Sequence, residues 1–218
     1  MIKGIIFDFD GLILDTETPL YRAYNEVFQS YQTELPLEIW QKEVGTSSTF
    51  NSLDYLERQI NRKVNQEELR KRTQEKIAYR ISIEKARPGV HSYLKEARRL
   101  NLKIGLASSS SYRWVSEHLK RLNLYHYFHC IKTADDVERV KPDPSLYIEA
   151  AKCLGIDVEN CLVFEDSANG AKAAKLAEMK CVIVPNDITA TMDFCEVEYR
   201  LSSMLDIKLR SLIRFLTN

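Results

Sequence analysis

No apolar run in this sequence approaches the roughly eighteen residues that a membrane span needs. The opening "MIKGIIFDFD" places acids where the apolar region of a secretory leader would lie. Neither sign of charge is in excess. Lysine plus arginine number 31, as do aspartate plus glutamate, so no global field draws the chain to nucleic acid or an anionic membrane. No cysteine pair has C-x-x-C spacing, and no histidine stands at zinc-finger distance from one. The scattered Cys130, Cys153, Cys161, Cys181 and Cys195 are expected to be reduced thiols of a cytoplasmic protein, each acting as a small core residue. Internal repeats are absent, and the only low-complexity stretch is Ser108 to Ser111, too short for a linker.

What is present points to a folded catalytic domain. With 218 residues, 44% of them hydrophobic, the chain can bury a core in one large domain or in a domain carrying an insertion. Residues 4–8 read as a buried strand. From about 19 to 86 the pattern becomes helical and highly charged, in "LYRAYNEVFQSY", "LEIWQKEVG", "FNSLDYLERQI" and "NQEELRKRTQEKIAYRISIEKA", with Thr49 and Asn65 as capping residues. After "RPGV" helices and strands alternate. The strands are "KIGLAS", "FHCIKT", "CLVFE", "KCVIVP" and a short "EYRL", and "MLDIKLRSLIRFL" closes the chain as a helix. This alternation predicts an α/β fold, a Rossmann-like parallel sheet with helices on both faces. The helical block is an insertion that leaves after the first strand and returns near Arg87.

The strand ends carry the chemistry. In an open parallel sheet, ligands gather at the carboxyl ends of the strands. Asp8 and Asp10 follow the first strand, and Ser108 and Ser109 follow "KIGLA". Lys141 stands in "KPDP", and Glu165 and Asp166 follow "CLVF". Each has a plain reading as well: turn and helix caps for the acids, a polar loop for the serines, a solvated lysine. Taken together, four acids at one edge call for a hard cation, for which Mg²⁺ is the natural candidate. Serines before a helix N-terminus can cradle an anion, and a lysine fixed by proline can neutralise a phosphate. One aspartate can then attack phosphorus while the second moves the proton.

With these residues in order, the chain resembles the haloacid dehalogenase superfamily, in particular its phosphatases with a helical cap related to β-phosphoglucomutase. "DFDGLILDTE", "LASSS", Lys141 in "VKPDP" and "VFEDSANGAKAA" are similar to the four motifs of that superfamily. The resemblance implies that Asp8 is the nucleophile and Asp10 the general acid/base. It implies Mg²⁺ on Asp8, the Asp10 carbonyl and Asp166, with Glu165 contributing directly or through water. Ser108 and Lys141 would hold the phosphoryl group, and Thr16 would support the Asp10 side chain by a hydrogen bond. Residues 1–16 and 87–218 would form the core and residues 17–86 a cap that closes over the site. The second aspartate favours phosphoryl transfer over carbon–halogen hydrolysis.

Two departures bear on the substrate. The mutases have a histidine shortly after the Asp-Thr pair, where this chain has Pro19 and Leu20. They also use a cap-loop arginine to grip a second phosphate, where this chain has Gly45, Thr46, Ser47, Ser48 and Thr49. The expectation is therefore an Mg²⁺-dependent phosphatase acting on a small phosphorylated metabolite of the sugar or nucleoside phosphate class, with specificity in that loop and the first cap helix. The alternatives are a hexose-phosphate mutase and a non-catalytic phosphate-binding regulator. Tyr21, Tyr24, Trp40, Tyr112 and Trp114 are either pocket or core. No nucleic-acid or membrane partner is expected: the basic window from Arg58 to Arg87 has interspersed glutamates and a single aromatic, Tyr79. A monomer is expected.

Overall fold

The structure, a computed structural model, describes residues 1–46 and 50–217. Six parallel strands form one sheet in the order β3-β2-β1-β4-β5-β6. They are β1 (Gly4–Phe7), β2 (Lys103–Ala107), β3 (Cys130–Lys132), β4 (Cys161–Glu165), β5 (Lys180–Ile183) and β6 (Tyr199–Arg200). Phe7 pairs with Leu106 on one side and Phe164 on the other, so β1, β2 and β4 end level. That register delivers Asp8, Ser108 and Glu165 to one edge.

Alternate strand residues feed two cores, as pleating requires. Ile5, Phe7, Ile104, Leu106, Leu162 and Phe164 pack with α5 (Val90–Arg99), α6 (Tyr112–Arg121) and α9 (Leu209–Thr217). Ile6, Val163, Cys181 and Ile183 pack with α7 (Ser145–Leu154) and α8 (Ala168–Leu176) on the other face. Helices therefore cover both faces, which is why the strands read as continuous apolar runs.

Between β1 and α5 lie α1 (Glu17–Ser30), α2 (Leu37–Gln41), α3 (Ser52–Ile60) and α4 (Gln66–Ile83). They carry a cluster of their own around Phe28, Leu35, Leu53 and Leu56. Asn65 caps α4 by accepting the Glu68 amide at 3.2 Å. Thr49, Ser47 and Ser48 lie outside the described residues. The cap of α3 is Asn51, whose side chain accepts the amides of Leu53 and Asp54. None of the described helices is long and apolar enough to cross a membrane.

Two expectations need correction. Cys130 and Cys153 are not reduced thiols: they form a disulfide that joins β3 to α7, while Cys161, Cys181 and Cys195 are free. The packing of α7 along the sheet brings together two residues 23 positions apart, and no sequence spacing shows this. Cysteine usage therefore no longer argues for a reducing compartment. The closing helix also begins at Leu209 rather than Met204. The Asp206 carboxylate accepts the amides of Ser202 and Ser203 and holds a turn there. The Leu209 amide then donates to Glu96 at 3.0 Å.

Leu162 is fully buried in the central strand β4. Leu162→Ala should destabilise the fold by about 2–5 kcal/mol, read as a lower urea midpoint with an unchanged slope. A midpoint equal to that of the parent would mean this core is not a packed one.

Candidate active site

Lys141 is the buried centre of the site. Its ammonium donates to Asp8 Oδ1 at 2.5 Å and to Glu165 Oε1 at 2.7 Å, and lies 4.7 Å from the Tyr147 ring centroid. The Tyr147 hydroxyl also donates to Glu165 Oε1, at 2.8 Å. The other oxygen, Oε2, accepts the amides of Asp166 and Ser167 at 2.9 and 3.0 Å and the Ser167 hydroxyl at 3.1 Å. Glu165 thus binds the lysine to the N-terminus of α8, and both of its oxygens are occupied. A Cβ on Gly170 would fall 1.7 Å from Glu165 Oε1, so only glycine lets the helix approach this closely.

Asp166 accepts the Asn186 side-chain amide at 2.8 Å, and that amide also donates to the Gly11 carbonyl. Gly11 has φ +81°, and a Cβ there would sit 2.2 Å from Asp166 Oδ2. The glycine of "DFDG" is therefore required twice, by its conformation and by this contact. Arg87 fixes the same turn, donating to the carbonyls of Gly11, Val184 and Pro185.

Ligand oxygens of Asp8, Glu165 and Asp166 lie within 4.8 Å of one another. Burial pushes the Asp8 carboxyl up, with help from Glu165 and Asp10, against the pull of Lys141. Burial raises Asp166 likewise, with repulsion from Glu165 and Asp8. Burial opposes ionisation of Glu165 too, but the Lys141 ammonium beside it holds it below the usual range; burial opposes the charge on Lys141 in turn, and the Asp8 and Glu165 carboxylates keep it charged. One lysine cannot balance three buried carboxylates. An all-oxygen donor set short of positive charge fits a hard cation such as Mg²⁺. Glu165, with both oxygens engaged, suits support of that site better than direct ligation.

Asp10 stands apart from this cluster. Its Oδ2 accepts the hydroxyls of Ser110 at 2.7 Å and Ser108 at 3.4 Å, and its Oδ1 accepts the Trp114 indole N–H at 2.9 Å. The expected hydrogen bond from Thr16 is not made: Thr16 Oγ1 is buried without a partner among the described residues. The carboxylate has turned to α6 and the serine loop, whose donors outnumber the one that Thr16 offers.

A cavity of about 400 Å³ opens over Asp8 and Asp10. Thr16, Glu17, Leu20, Tyr24 and Trp40 line it, with Glu43, Val44, Gly45, Thr46, Phe50 and Ser52, the serines at 108–110, and Trp114. The helical insertion rests on the sheet edge through polar contacts. The Ser109 hydroxyl donates to the Gly45 carbonyl at 3.0 Å, and the Asn169 side chain donates to the Val44 carbonyl at 2.8 Å. Gln41 donates to the Ile188 carbonyl and the Thr191 hydroxyl. Ser109 is thus engaged by the insertion while lining the cavity. Tyr24, Trp40 and Trp114 face the cavity. Tyr21 instead donates to the Leu35 carbonyl within the insertion, and Tyr112 pairs with Tyr125.

Sequence reasoning missed Asn186, Arg87 and Tyr147, and took Ser110 as part of the serine cradle without its bond to Asp10. Asn186 was within reach, because it follows β5 at the same edge as the other site residues. Arg87 and Tyr147 act through a loop and a helix, and nothing local distinguishes them.

Lys141→Met should cost about 3–5 kcal/mol, because it leaves Asp8 and Glu165 buried without their cation. Chemical denaturation reads the loss, and a cost under about 1 kcal/mol would mean the pair behaves like a surface one. Burial, with Asp10 and Asp15 nearby, raises Glu17 from the ordinary 4.5 to about 8. An acid raised in the folded state contributes stability that is lost as pH rises through its folded value. In EDTA, stability should therefore fall between about pH 5 and pH 8, and Glu17→Gln should make the fall shallower. An identical slope in the variant would refute the assignment.

A family model described as "Haloacid dehalogenase-like hydrolase" matches residues 5–184. The Bacillus subtilis (strain 168) protein called "Putative phosphatase YhcW" is 54% identical over 218 residues, covering 100% of this chain and 99% of that one. The Thermotoga maritima protein called "Phosphorylated carbohydrates phosphatase" is 33% identical over 177 residues, 81% of this chain and 82% of that one. Among solved structures, a β-phosphoglucomutase from Clostridium difficile superposes with a TM-score of 0.72 at 26% identity, covering 100% of this chain and 98% of that one. The chain belongs to the haloacid dehalogenase-like hydrolase family.

Proposed function

We propose that the protein is an Mg²⁺-dependent phosphatase that hydrolyses a small phosphorylated sugar or related metabolite through a phosphorylated Asp8. The observation that carries this reading is the pairing of two aspartates in unlike surroundings at one cavity. Asp8 is buried against an ammonium, while Asp10 is half-exposed and held by neutral donors. One suits attack and the other suits proton transfer.

Asp8 attacks phosphorus and the bond to the ester oxygen breaks. Asp10 gives its proton to the departing alkoxide, then takes one from the water that attacks the acyl phosphate. Ser108, at the level end of β2, and the Lys141 ammonium hold the phosphoryl oxygens. Asp8, Asp166 and the Asp10 carbonyl would hold Mg²⁺, which supplies positive charge against the phosphoryl oxygens. Residues 17–86 act as a cap that closes over the site and keeps out bulk solvent, leaving room for the one water that attacks. The relatives named as phosphatases support this reading. The mutase reading lacks support in the cavity: Pro19 and Leu20 stand where the histidine would be, and no lysine or arginine lines the space for a second phosphate.

Phosphate release from a panel of sugar, nucleotide and small-acid phosphates tests the proposal. Release should require Mg²⁺, cease in EDTA, and fall at least about a thousandfold in Asp8→Asn. Mg²⁺ should also raise the melting temperature of the parent and not of Asp166→Asn. Release that persists in Asp8→Asn would end the covalent reading. A missing thermal shift would end the metal assignment.

A further inference from the structure

The cavity carries four acids, Asp8, Asp10, Glu17 and Glu43, and no base. The residues of the adjoining loop that lie outside the described ones are Ser47, Ser48 and Thr49, which add no positive charge. Lys141, paired with Asp8 and Glu165 at the phosphoryl end, brings no positive charge to the rest of the cavity. Asp8 belongs to the phosphoryl site, and Asp10 is held by Ser110 and Trp114. Glu17 and Glu43, both half-buried, belong to neither arrangement, and among the described residues neither forms an ion pair. Beside them stand the rings of Tyr24, Trp40, Phe50 and Trp114. Carboxyl groups without a cationic partner, set among aromatic rings, form a receptor for an ammonium group: the cation favours their ionised form, and the ring quadrupole adds to the attraction. The same lining repels a second anion.

We propose that this pocket selects phosphate monoesters whose alcohol part carries an amine, an amino-sugar phosphate being the class that fits its size, and that Glu17 and Glu43 are the residues that set this preference. The inference rests on the phosphatase reading and deepens it. The space of about 400 Å³ is large enough for a hexose phosphate. The phosphate lies at Asp8 and the amine points toward the acids of α1 and the segment after α2. A neutral sugar still stacks on the rings but forgoes the charge. A bisphosphate or a phosphorylated sugar acid brings a negative group to a wall without a cation. The high position of Glu17 is consistent with a site short of positive charge.

The test measures inhibition constants against hydrolysis of p-nitrophenyl phosphate by the full chain with Mg²⁺. Glucosamine 6-phosphate, glucose 6-phosphate and glucose 1,6-bisphosphate serve as competitors, sharing one ring and differing in charge. Glucosamine 6-phosphate should bind at least about tenfold tighter than glucose 6-phosphate, and the bisphosphate weakest of the three. Glu17→Gln and Glu43→Gln should each narrow the gap between the first two. A variant with both changes should bring them within about twofold. Equal constants in the parent, no inhibition by any of the three, or an unchanged ratio in the double variant overturns the proposal. Absence of Asp8-dependent hydrolysis of p-nitrophenyl phosphate is a different failure and sinks the phosphatase reading. The charge ranking is then read by titration calorimetry of the same compounds.

Discussion

The site is organised around one buried ammonium. Lys141 is fully enclosed and lies between Asp8 and Glu165. A lysine is stable at zero exposure only when opposite charge surrounds it, and two buried carboxylates at adjacent strand ends have the complementary requirement. Each partner thus makes the burial of the other tolerable. The arrangement sets several positions at once. Glu165 reaches the amides that begin α8, Tyr147 on α7 closes the far side, and the ends of β1 and β4 are held level. The cluster holds three carboxyl groups to one ammonium, and burial opposes ionisation of Asp8 and Asp166; that shortage of positive charge is the physical reason a cation fits it.

A second constraint comes from backbone approach. Gly11 and Gly170 touch carboxylate oxygens of Asp166 and Glu165 at distances no Cβ could share. The chemistry of the acids therefore depends on glycines that contribute no functional group. Arg87 does related work from the other end of the insertion. Its carbonyl contacts bind the point where the chain re-enters the α/β core to the turn that carries Asp10, through Gly11, and to the end of β5, through Val184 and Pro185. The helices of residues 17–83 thus leave and return beside that turn, and the α2 end of the insertion rests on the α/β core through Gln41, Val44 and Gly45.

The parts of the site legible in the sequence were those that follow strands. A buried parallel strand has a strong apolar signature, and the residue after it is placed at the ligand-bearing edge by topology alone. Asp8, Ser108, Glu165 and Asp166 were read that way. Trp114 and Ser110 were not assigned to Asp10, because a side-chain hydrogen bond across about a hundred residues leaves no periodic trace. Thr16, expected at Asp10 from the motif, is buried and has no partner for its hydroxyl among the described residues, for the same reason: several donors compete for one carboxylate, and only packing decides among them.

The sequence alone determined the class of the fold, the helical interruption after the first strand, and the kinds of group that meet at the sheet edge. Local hydrophobic period and strand-end position suffice for these. Tertiary structure decided which partner each group takes: Lys141 on both Asp8 and Glu165, Asp10 on Trp114, Cys130 on Cys153, and the acids of α1 and the segment after α2 around one cavity. Pairing is set by the packing of elements distant in the chain, and side-chain electrostatics act over a few ångströms in space, whatever the separation in sequence.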